Sequence, residues 1–206
     1  YPGDIAASIL SSDGTTLIAS TYVGGQYGES AEGVAVDAQG NAWVTGYTES
    51  ANFPLQDPLD ANRGGFSDAF IARLSAAGDV LQFSTYFGAG NADNGEAIAV
   101  DADGRVYVAG RTTGGLTVVN AAQPVFGGVD DGFVLRLNSA ATAYEYVTYL
   151  GGNFTDIGIG VNTVVPSGGL KGHRLGIEWL QPVHDNVNGY QQRRDGTLAV
   201  NWSKAF

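Results

Sequence analysis

Two aspartates separated by one residue are the first groups in this chain whose spacing could do chemistry. Asp101 and Asp103 lie in the run Asp-Ala-Asp-Gly, which resembles the opening of a calcium loop. Alternating carboxylates at this spacing supply the oxygen ligands that Ca²⁺ prefers. A related run, Asp37 to Gly40, lacks the second carboxylate, and no glutamate closes a loop of the EF-hand kind. We therefore favour a hairpin turn in which the aspartate accepts hydrogen bonds from its own backbone. Ca²⁺ is the one cofactor that the sequence leaves open.

Two further carboxylates, Asp68 and Asp131, occupy equivalent positions in related segments. A recurring carboxylate can bind a cation or accept hydrogen bonds from the backbone amides of a loop. We favour the structural role, because residues that recur at a fixed spacing usually hold repeated units together.

Three tyrosines, Tyr22, Tyr86 and Tyr149, also lie at equivalent positions and are candidates for an interaction site. If exposed, such a ladder could stack against sugars of surface glycans or against a partner chain. The alternative is packing between repeated units, with each hydroxyl group reaching a backbone group. We favour packing and keep the interaction site as the second interpretation.

Motifs for covalent or phosphate chemistry are absent from the sequence. It contains no Gly-x-Ser-x-Gly elbow, and no Ser-His-Asp set can be argued from its serines and two histidines. No Gly-rich phosphate loop opens a helix. We predict that the protein is not an enzyme.

The residues discussed so far lie in a repeat. Thr-Tyr-Val-Gly-Gly at 21–25 recurs as Thr-Tyr-Phe-Gly-Ala at 85–89 and as Thr-Tyr-Leu-Gly-Gly at 148–152, at offsets of 64 and 63 residues. The segment 33–46 also matches 97–110, and 68–75 matches 131–138. A fixed period of this size indicates a repeat architecture whose functional surface is shared between units.

Each unit predicts four short strands. In the first full unit they are 33–37, 42–48, 68–74 and 81–87, rich in Val, Ile, Phe, Tyr and Thr. Gly40 and Gly104 supply the positive φ of the hairpin turns, and polar inserts fall at about 49–65 and 112–128. Four strands per unit predict an all-β fold of β-propeller blades over residues 1–153.

These elements resemble the bacterial β-propeller repeats that carry Tyr-Gly-Gly, Ala-Val-Asp-x-x-Gly-Asn and Asp-Ala-Phe elements. The resemblance covers residues 1–152 and is looser in the second full unit, where Arg105 replaces the turn asparagine. It implies an extracellular or cell-surface protein, with no shared enzymatic activity.

The chain of 206 residues has a formal net charge of −11. Residues 1–153 contain 17 acidic and 5 basic residues, hence −12, whereas residues 154–206 contain 4 and 5, hence +1. Nucleic-acid binding needs clustered Lys and Arg, so we predict no nucleic-acid partner.

The number of units is too small for a closed ring. Two full and two partial units cannot form the minimum of about four blades, and an incomplete ring leaves strand edges open for pairing. We therefore expect further propeller sequence outside this stretch, assembly with copies or protein partners, or another element that caps the edges.

Residues 154–206 follow a different pattern. Three longer runs alternate apolar and small or polar residues, as expected of strands that cross a membrane in about 9 to 11 residues. The segment 169–178, the run Asn188 to Gln191 and the terminal Phe206 resemble the last strands of Gram-negative outer-membrane barrels of the phenol-degradation-pathway, transporter-like group. This resemblance implies contact with the outer membrane, with Trp179 and Trp202 in its aromatic girdles. The break near Asn153 fits either a surface protein with both parts or joined pieces of longer chains.

From these features we predict a non-enzymatic structural or interaction protein of the cell envelope or the exterior, working in a larger assembly. The alternatives are an outer-membrane transport or export barrel with a surface propeller, and a carbohydrate-binding propeller.

Overall fold

The computed structural model describes residues 3–151, 156–164, 173–182 and 197–204. All regular elements within these residues are β-strands. The strands are β1 (Ile5–Leu10), β2 (Leu17–Val23), β3 (Glu29–Val36), β4 (Ala42–Thr48), β5 (Asp68–Leu74), β6 (Leu81–Phe87), β7 (Asp93–Val100), β8 (Val106–Thr112), β9 (Asp131–Leu137), β10 (Tyr144–Leu150), β11 (Asp156–Val164), β12 (His173–Pro182) and β13 (Thr197–Lys204).

Two four-stranded antiparallel sheets form the body of the repeat region. Strands β3 to β6 make one sheet and β7 to β10 make the other, each in chain order, and we call them the second and third blades. Strands β1 and β2 pair as a two-stranded sheet, the half blade. Their positions in the sequence repeat are equivalent to those of β5 and β6, so they correspond to the third and fourth strands of a blade. This architecture confirms the predicted all-β fold of propeller-type blades in an incomplete ring.

The predicted strands of the second blade agree with the structure, except that β3 begins four residues earlier than expected, at Glu29. Its pairing with β4 shifts between Ala31 and Gly33, and the equivalent pairing of β7 with β8 shifts between Gly95 and Ala97. A bulge of this kind interrupts strict alternation of side chains. The alternation of apolar residues therefore reveals only the second half of each of these strands.

Turns and inserts follow the repeat. Gly40 and Gly104 close the β3–β4 and β7–β8 hairpins with φ of 85° and 81°. The predicted inserts lie along the outer strand of each blade, where Gln56 bridges Ser84 on β6 and Val119 bridges Val147 on β10. Because the inserts pair with these outer strands, the last edge of each blade is partly covered.

The core lies between the blades. One apolar cluster joins the second and third blades and includes Trp43, Ile71, Phe87, Phe133 and Leu135. A second cluster joins the half blade to the second blade through Ile5, Val23, Phe70 and Tyr86, among others. Burial between sheets rather than within one sheet is what makes each blade depend on its neighbours.

Strands β11, β12 and β13 form a three-stranded antiparallel sheet in chain order. Their backbones agree with the three runs predicted for the C-terminal segment. Asn153, the turns between the runs and Phe206 lie outside the described residues, so the domain division at 153 stays a prediction. No helix among the described residues is long and apolar enough to cross a membrane.

Candidate functional site

Paired carboxylates meet at a glycine at the two passages from blade to blade that the structure describes, from β2 to β3 and from β6 to β7. At Gly88, an added Cβ would lie 2.5 Å from Asp93 Oδ2 and 2.9 Å from Asp68 Cγ. At Gly24, the equivalent position, it would lie 2.5 Å from Asp4 Oδ1 and 2.7 Å from Glu29 Oε2. At both of these glycines of the Thr-Tyr-x-Gly element, two acidic side chains therefore occupy the space that a side chain would need.

Backbone amides hold the carboxylates that recur at the start of the third strand. Gly64 N–H donates to Asp68 Oδ2 at 2.9 Å and Gly65 N–H donates to its Oδ1 at 3.2 Å. In the third blade, Gly127 N–H donates to Asp131 at 2.6 Å. Asp68 and Asp131 were considered either as cation ligands or as acceptors for the backbone amides of a loop. The observed geometry is that of the second role, in which each carboxylate holds the end of its insert in place.

Asp93 differs in its hydrogen bonding from Asp68, the other buried member of these pairs. Its Oδ2 accepts from Ala89 N–H at 2.9 Å, but its buried Oδ1 has no hydrogen-bond partner. Burial raises the pKa of Asp93, and the nearby charge of Asp68 raises it further. Sequence reasoning missed this residue and its equivalent Glu29, although an acid five residues after the Thr-Tyr-x-Gly glycine occurs in both units.

The candidate calcium residues lie in the β7–β8 hairpin turn. Asp101 Oδ1 accepts from the N–H groups of Asp103 and Arg105, both at 2.9 Å, and its Oδ2 accepts from Tyr107 Oη–H at 3.0 Å. Asp103 pairs with Arg105 at 2.8 Å. Both carboxylates therefore take part in hydrogen bonds or an ion pair of the turn, which agrees with the hairpin interpretation. Among the described residues no group of three or more acidic, histidine or cysteine side chains is placed to hold a metal.

The three equivalent tyrosines differ in environment. Tyr86 is 0% exposed, donates to Ser50 O at 2.7 Å and accepts from Phe53 N–H at 3.1 Å. Tyr149 is 3% exposed and accepts from Leu116 N–H at 2.7 Å. The prediction that the tyrosines form an exposed interaction site is therefore wrong for these two residues, because each is buried under the insert of its own blade. Tyr22 is 74% exposed, and the part of the chain that is described provides no such insert for the half blade.

The outer face of the third blade is the face that points away from the second blade. Its residues are equivalent to those that the second blade buries against the third blade, but they are less buried. The second blade buries an aromatic and aliphatic set against the third blade, whereas the equivalent third-blade residues are half-buried or exposed. The buried set is Trp43, Ile71, Phe83 and Phe87, and its equivalents are Tyr107, Val134, Tyr146 and Leu150.

Arg136 lies across this outer face. Its guanidinium carbon is 5.0 Å from the ring centroid of Tyr146 and 5.9 Å from that of Tyr107, and it pairs with Glu145. The arrangement thus brings two aromatic rings to one paired cation.

At the opposite end of the two blades, an apolar groove runs between the half blade and β3. Its cavity has a volume of about 340 Å³, and its walls include Ile5, Ala7 and Ile9 of β1 and Ala31 and Val34 of β3. Among the described residues, β1 pairs with β2 along one edge and with no strand along the other. The groove therefore combines apolar side chains with an unpaired strand edge.

Comparison with known families agrees with this architecture. Residues 20–54 and 82–117 each match the model of the family described as Beta-propeller repeat. The first match runs from β2 through β4, and the second from β6 through β8, so both cover the passage from one blade into the next. No curated protein matches the chain. The repeat region is thus similar to beta-propeller repeats over two successive units.

Proposed function

We propose that this protein is a non-enzymatic structural or interaction protein of the cell envelope or the exterior, which works in a larger assembly. The observation that carries the proposal is a series of blades whose two end faces have exposed apolar residues within the part of the chain that the structure describes. At one end, Val34 and Val36 of β3 are 69% and 64% exposed, and at the other Leu150 is 36% exposed. Apolar faces and open strand edges of this kind favour pairing with other protein chains.

The chemistry of the described carboxylates supports a structural role. Asp68, Asp131 and Asp101 accept backbone N–H groups, and Asp93 and Glu29 accept amide hydrogens of the linkers between blades. Groups committed to holding loops are poorly placed to transfer protons to a substrate. The acidic charge of residues 1–153 also favours partners other than nucleic acid.

Surface labelling of intact cells tests this proposal. Cells that produce the protein are treated with a membrane-impermeant biotin reagent, and the labelled fraction is measured against a cytosolic protein and a known surface protein. We expect surface labelling and cross-links to other protein chains. Recovery with the cytosolic control would contradict the proposed location.

A barrel role is a second candidate, favoured by one observation. Strands β11, β12 and β13 have 9, 10 and 8 residues and pair as an antiparallel meander, close to the lengths that cross a membrane. In this case the chain is part of an outer-membrane transport or export barrel with a surface propeller. Heat-dependent gel migration and a need for detergent are expected, and a soluble monomer without detergent would contradict it.

A carbohydrate-binding role rests on Tyr22 alone, because it is the one exposed member of the three tyrosines. Glycan-array binding that is lost in Tyr22→Ala, and kept in Tyr86→Phe as a control for a buried equivalent, would favour it. Binding that is equal in Tyr22→Ala and the parent chain would remove it.

A further inference from the structure

The insert of the second blade contains a backbone conformation that its sequence disfavours. Asp57 has a φ of 48°, in the left-handed region, and the next residue is Pro58. A proline drives the residue before it toward extended backbone, and a non-glycine residue in the left-handed region is itself uncommon. Conformations of this class persist only where the surrounding structure holds them, and they are concentrated at functional sites.

The equivalent residue of the third blade shows that the repeat imposes this conformation. Asn120 has a φ of 44° and is followed by Ala121, so no proline opposes the left-handed backbone there. Its side chain donates a hydrogen bond to Glu145 O at 2.9 Å. Asp57 is exposed, and its side chain takes part in none of the hydrogen bonds between described residues. Of the two inserts, the second blade's alone combines a left-handed residue, an exposed carboxylate and a following proline.

Contacts on both sides keep Asp57 from relaxing. Gln56 exchanges two backbone hydrogen bonds with Ser84 of β6, at 2.8 and 3.3 Å. Farther along the insert, Asp60 N–H donates to Thr85 Oγ1 at 2.8 Å. The peptide bond that follows Asp57 therefore lies between two points that are fixed to the same strand.

We propose that the peptide bond between Asp57 and Pro58 is a self-cleavage site. A side-chain carboxylate oxygen of Asp57 attacks the main-chain carbonyl carbon of the same residue. The bond from that carbon to the Pro58 nitrogen breaks, and the nitrogen takes up a proton and leaves as a secondary amine. One water molecule then opens the cyclic anhydride at Asp57, which leaves one carboxyl group on the side chain and one at the new C-terminus.

Three features favour cleavage at this bond. Pro58 has no N–H, so its nitrogen cannot attack the Asp57 side chain, and the competing rearrangement through a cyclic imide is closed. The nucleophile and the carbonyl group belong to one residue, so the reaction needs no encounter between molecules. Breaking the bond also releases the strain of the left-handed conformation. This is the one Asp-Pro pair in the sequence.

A cut at this bond is expected to leave the second blade assembled. Strand β4 precedes the cut and β5 follows it, and the two strands pair from Thr48↔Asp68 to Ala42↔Leu74. The product is therefore a nicked chain rather than two separate proteins. The reaction is a single turnover of the chain on itself, so it goes beyond the proposed structural role and needs no substrate.

Intact-mass measurement of the full chain in mild acid tests the proposal. The folded protein and the same protein unfolded in urea are incubated at pH ~5, where ordinary aspartate side chains are mostly ionised. We expect the fragments 1–57 and 58–206 to form about tenfold faster or more in the folded protein, because strain of this class changes a rate by that order. A rate constant that rises with protein concentration would assign the cut to a second molecule, and overturn the proposal.

Two variants test the chemistry without disturbing the fold. Asp57→Asn removes the nucleophile and keeps a residue that tolerates the left-handed region, as Asn120 does. Pro58→Ala removes the leaving secondary amine. Both variants should keep the melting temperature of the parent chain and be cut at this bond at least about tenfold more slowly. Cleavage at the parent rate in Asp57→Asn would overturn the mechanism.

Two further variants test the strain. Thr85→Val nearly keeps the side-chain volume but removes the oxygen that accepts Asp60 N–H, so that the insert can relax. We expect its cleavage rate to fall toward that of the unfolded chain. The double change Asn120→Asp with Ala121→Pro should create a second cut, after residue 120. Equal rates in the folded and unfolded parent chain, an unchanged rate in Thr85→Val, or no second cut in a folded double variant would overturn the proposal.

Discussion

The covered junction between the second and third blades and the open junction at β3 are built from equivalent residues. Ile98 and Val100 pack into a core at the first junction, while Val34 and Val36 face solvent at the second. The difference shows that a position in this repeat is core or surface only by virtue of its neighbour. A blade supplies half of each interface, and the adjacent blade decides whether that half is buried.

The largest effect should come from placing a charge at each junction. Ile98→Asp should lower the free energy of unfolding by about 3 kcal/mol more than Val34→Asp, because only the first carboxylate is desolvated against packed neighbours. The loss of β propensity is common to both variants and cancels in the difference. Urea unfolding followed by fluorescence measures it. Equal losses would show that the two faces are equally buried, which would contradict the difference between the two junctions.

The glycines at the carboxylate pairs should give the next effect. Gly88→Ala should cost about 2 kcal/mol, because its Cβ meets the buried Asp68 and Asp93. Gly24→Ala should cost less than about 1 kcal/mol, since Asp4 is exposed and Glu29 half-buried, so that both can move aside. Thermal melts of the two variants, measured beside the parent chain, test this. A larger loss in Gly24→Ala would mean that the half blade is as rigid as the complete ones.

Removing the hydroxyl group should change stability by different amounts at two equivalent tyrosines. Tyr86→Phe should cost about 1 to 2 kcal/mol, because the buried Ser50 carbonyl and Phe53 amide lose their partner. Tyr22→Phe should leave stability unchanged, since its side chain is 74% exposed. Chemical unfolding of both variants checks the difference. A comparable loss in Tyr22→Phe would reveal a cover over the half blade.

The smallest effects should appear in the dependence of stability on pH. Burial raises the pKa of Asp93, so the folded protein holds this proton more tightly than the unfolded chain, and stability falls as pH rises above the unfolded pKa. Asp93→Asn should therefore raise the melting temperature at pH 7, and the gain should shrink toward pH ~4. A gain that does not change with pH would show that Asp93 is charged in both states.

Asp101 provides the matched opposite case. Desolvation acts to raise its pKa, but hydrogen bonds from the Arg105 backbone and the Tyr107 hydroxyl outweigh it, and its pKa is lowered. A lowered pKa stabilises the fold above the unfolded pKa, and this contribution is lost as pH falls. Asp101→Asn should therefore slightly lower the melting temperature at pH 7, with the difference vanishing in acid. Melts between pH 3 and 7 in one buffer series compare the two variants.

The strands show how much of the fold can be predicted from local sequence pattern. The runs 42–48, 68–74 and 81–87 could be predicted because alternation and turn glycines are local properties. The early start of β3 could not, because its bulge near Ala31 breaks the period of two. The site was harder still, since Asp93 and Asp68 are far apart in sequence and meet only when one blade follows another.

The sequence by itself determined the repeat, its four strands per unit, the turn glycines and the acidic charge, because each of these depends on residue type and spacing alone. The tertiary structure alone decided which copies are buried. Tyr86 and Tyr22 occupy the same place in the repeat, yet one lies beneath an insert and the other in solvent. The physical reason is that burial belongs to a pair of surfaces, and a chain encodes each surface separately from the neighbour that covers it.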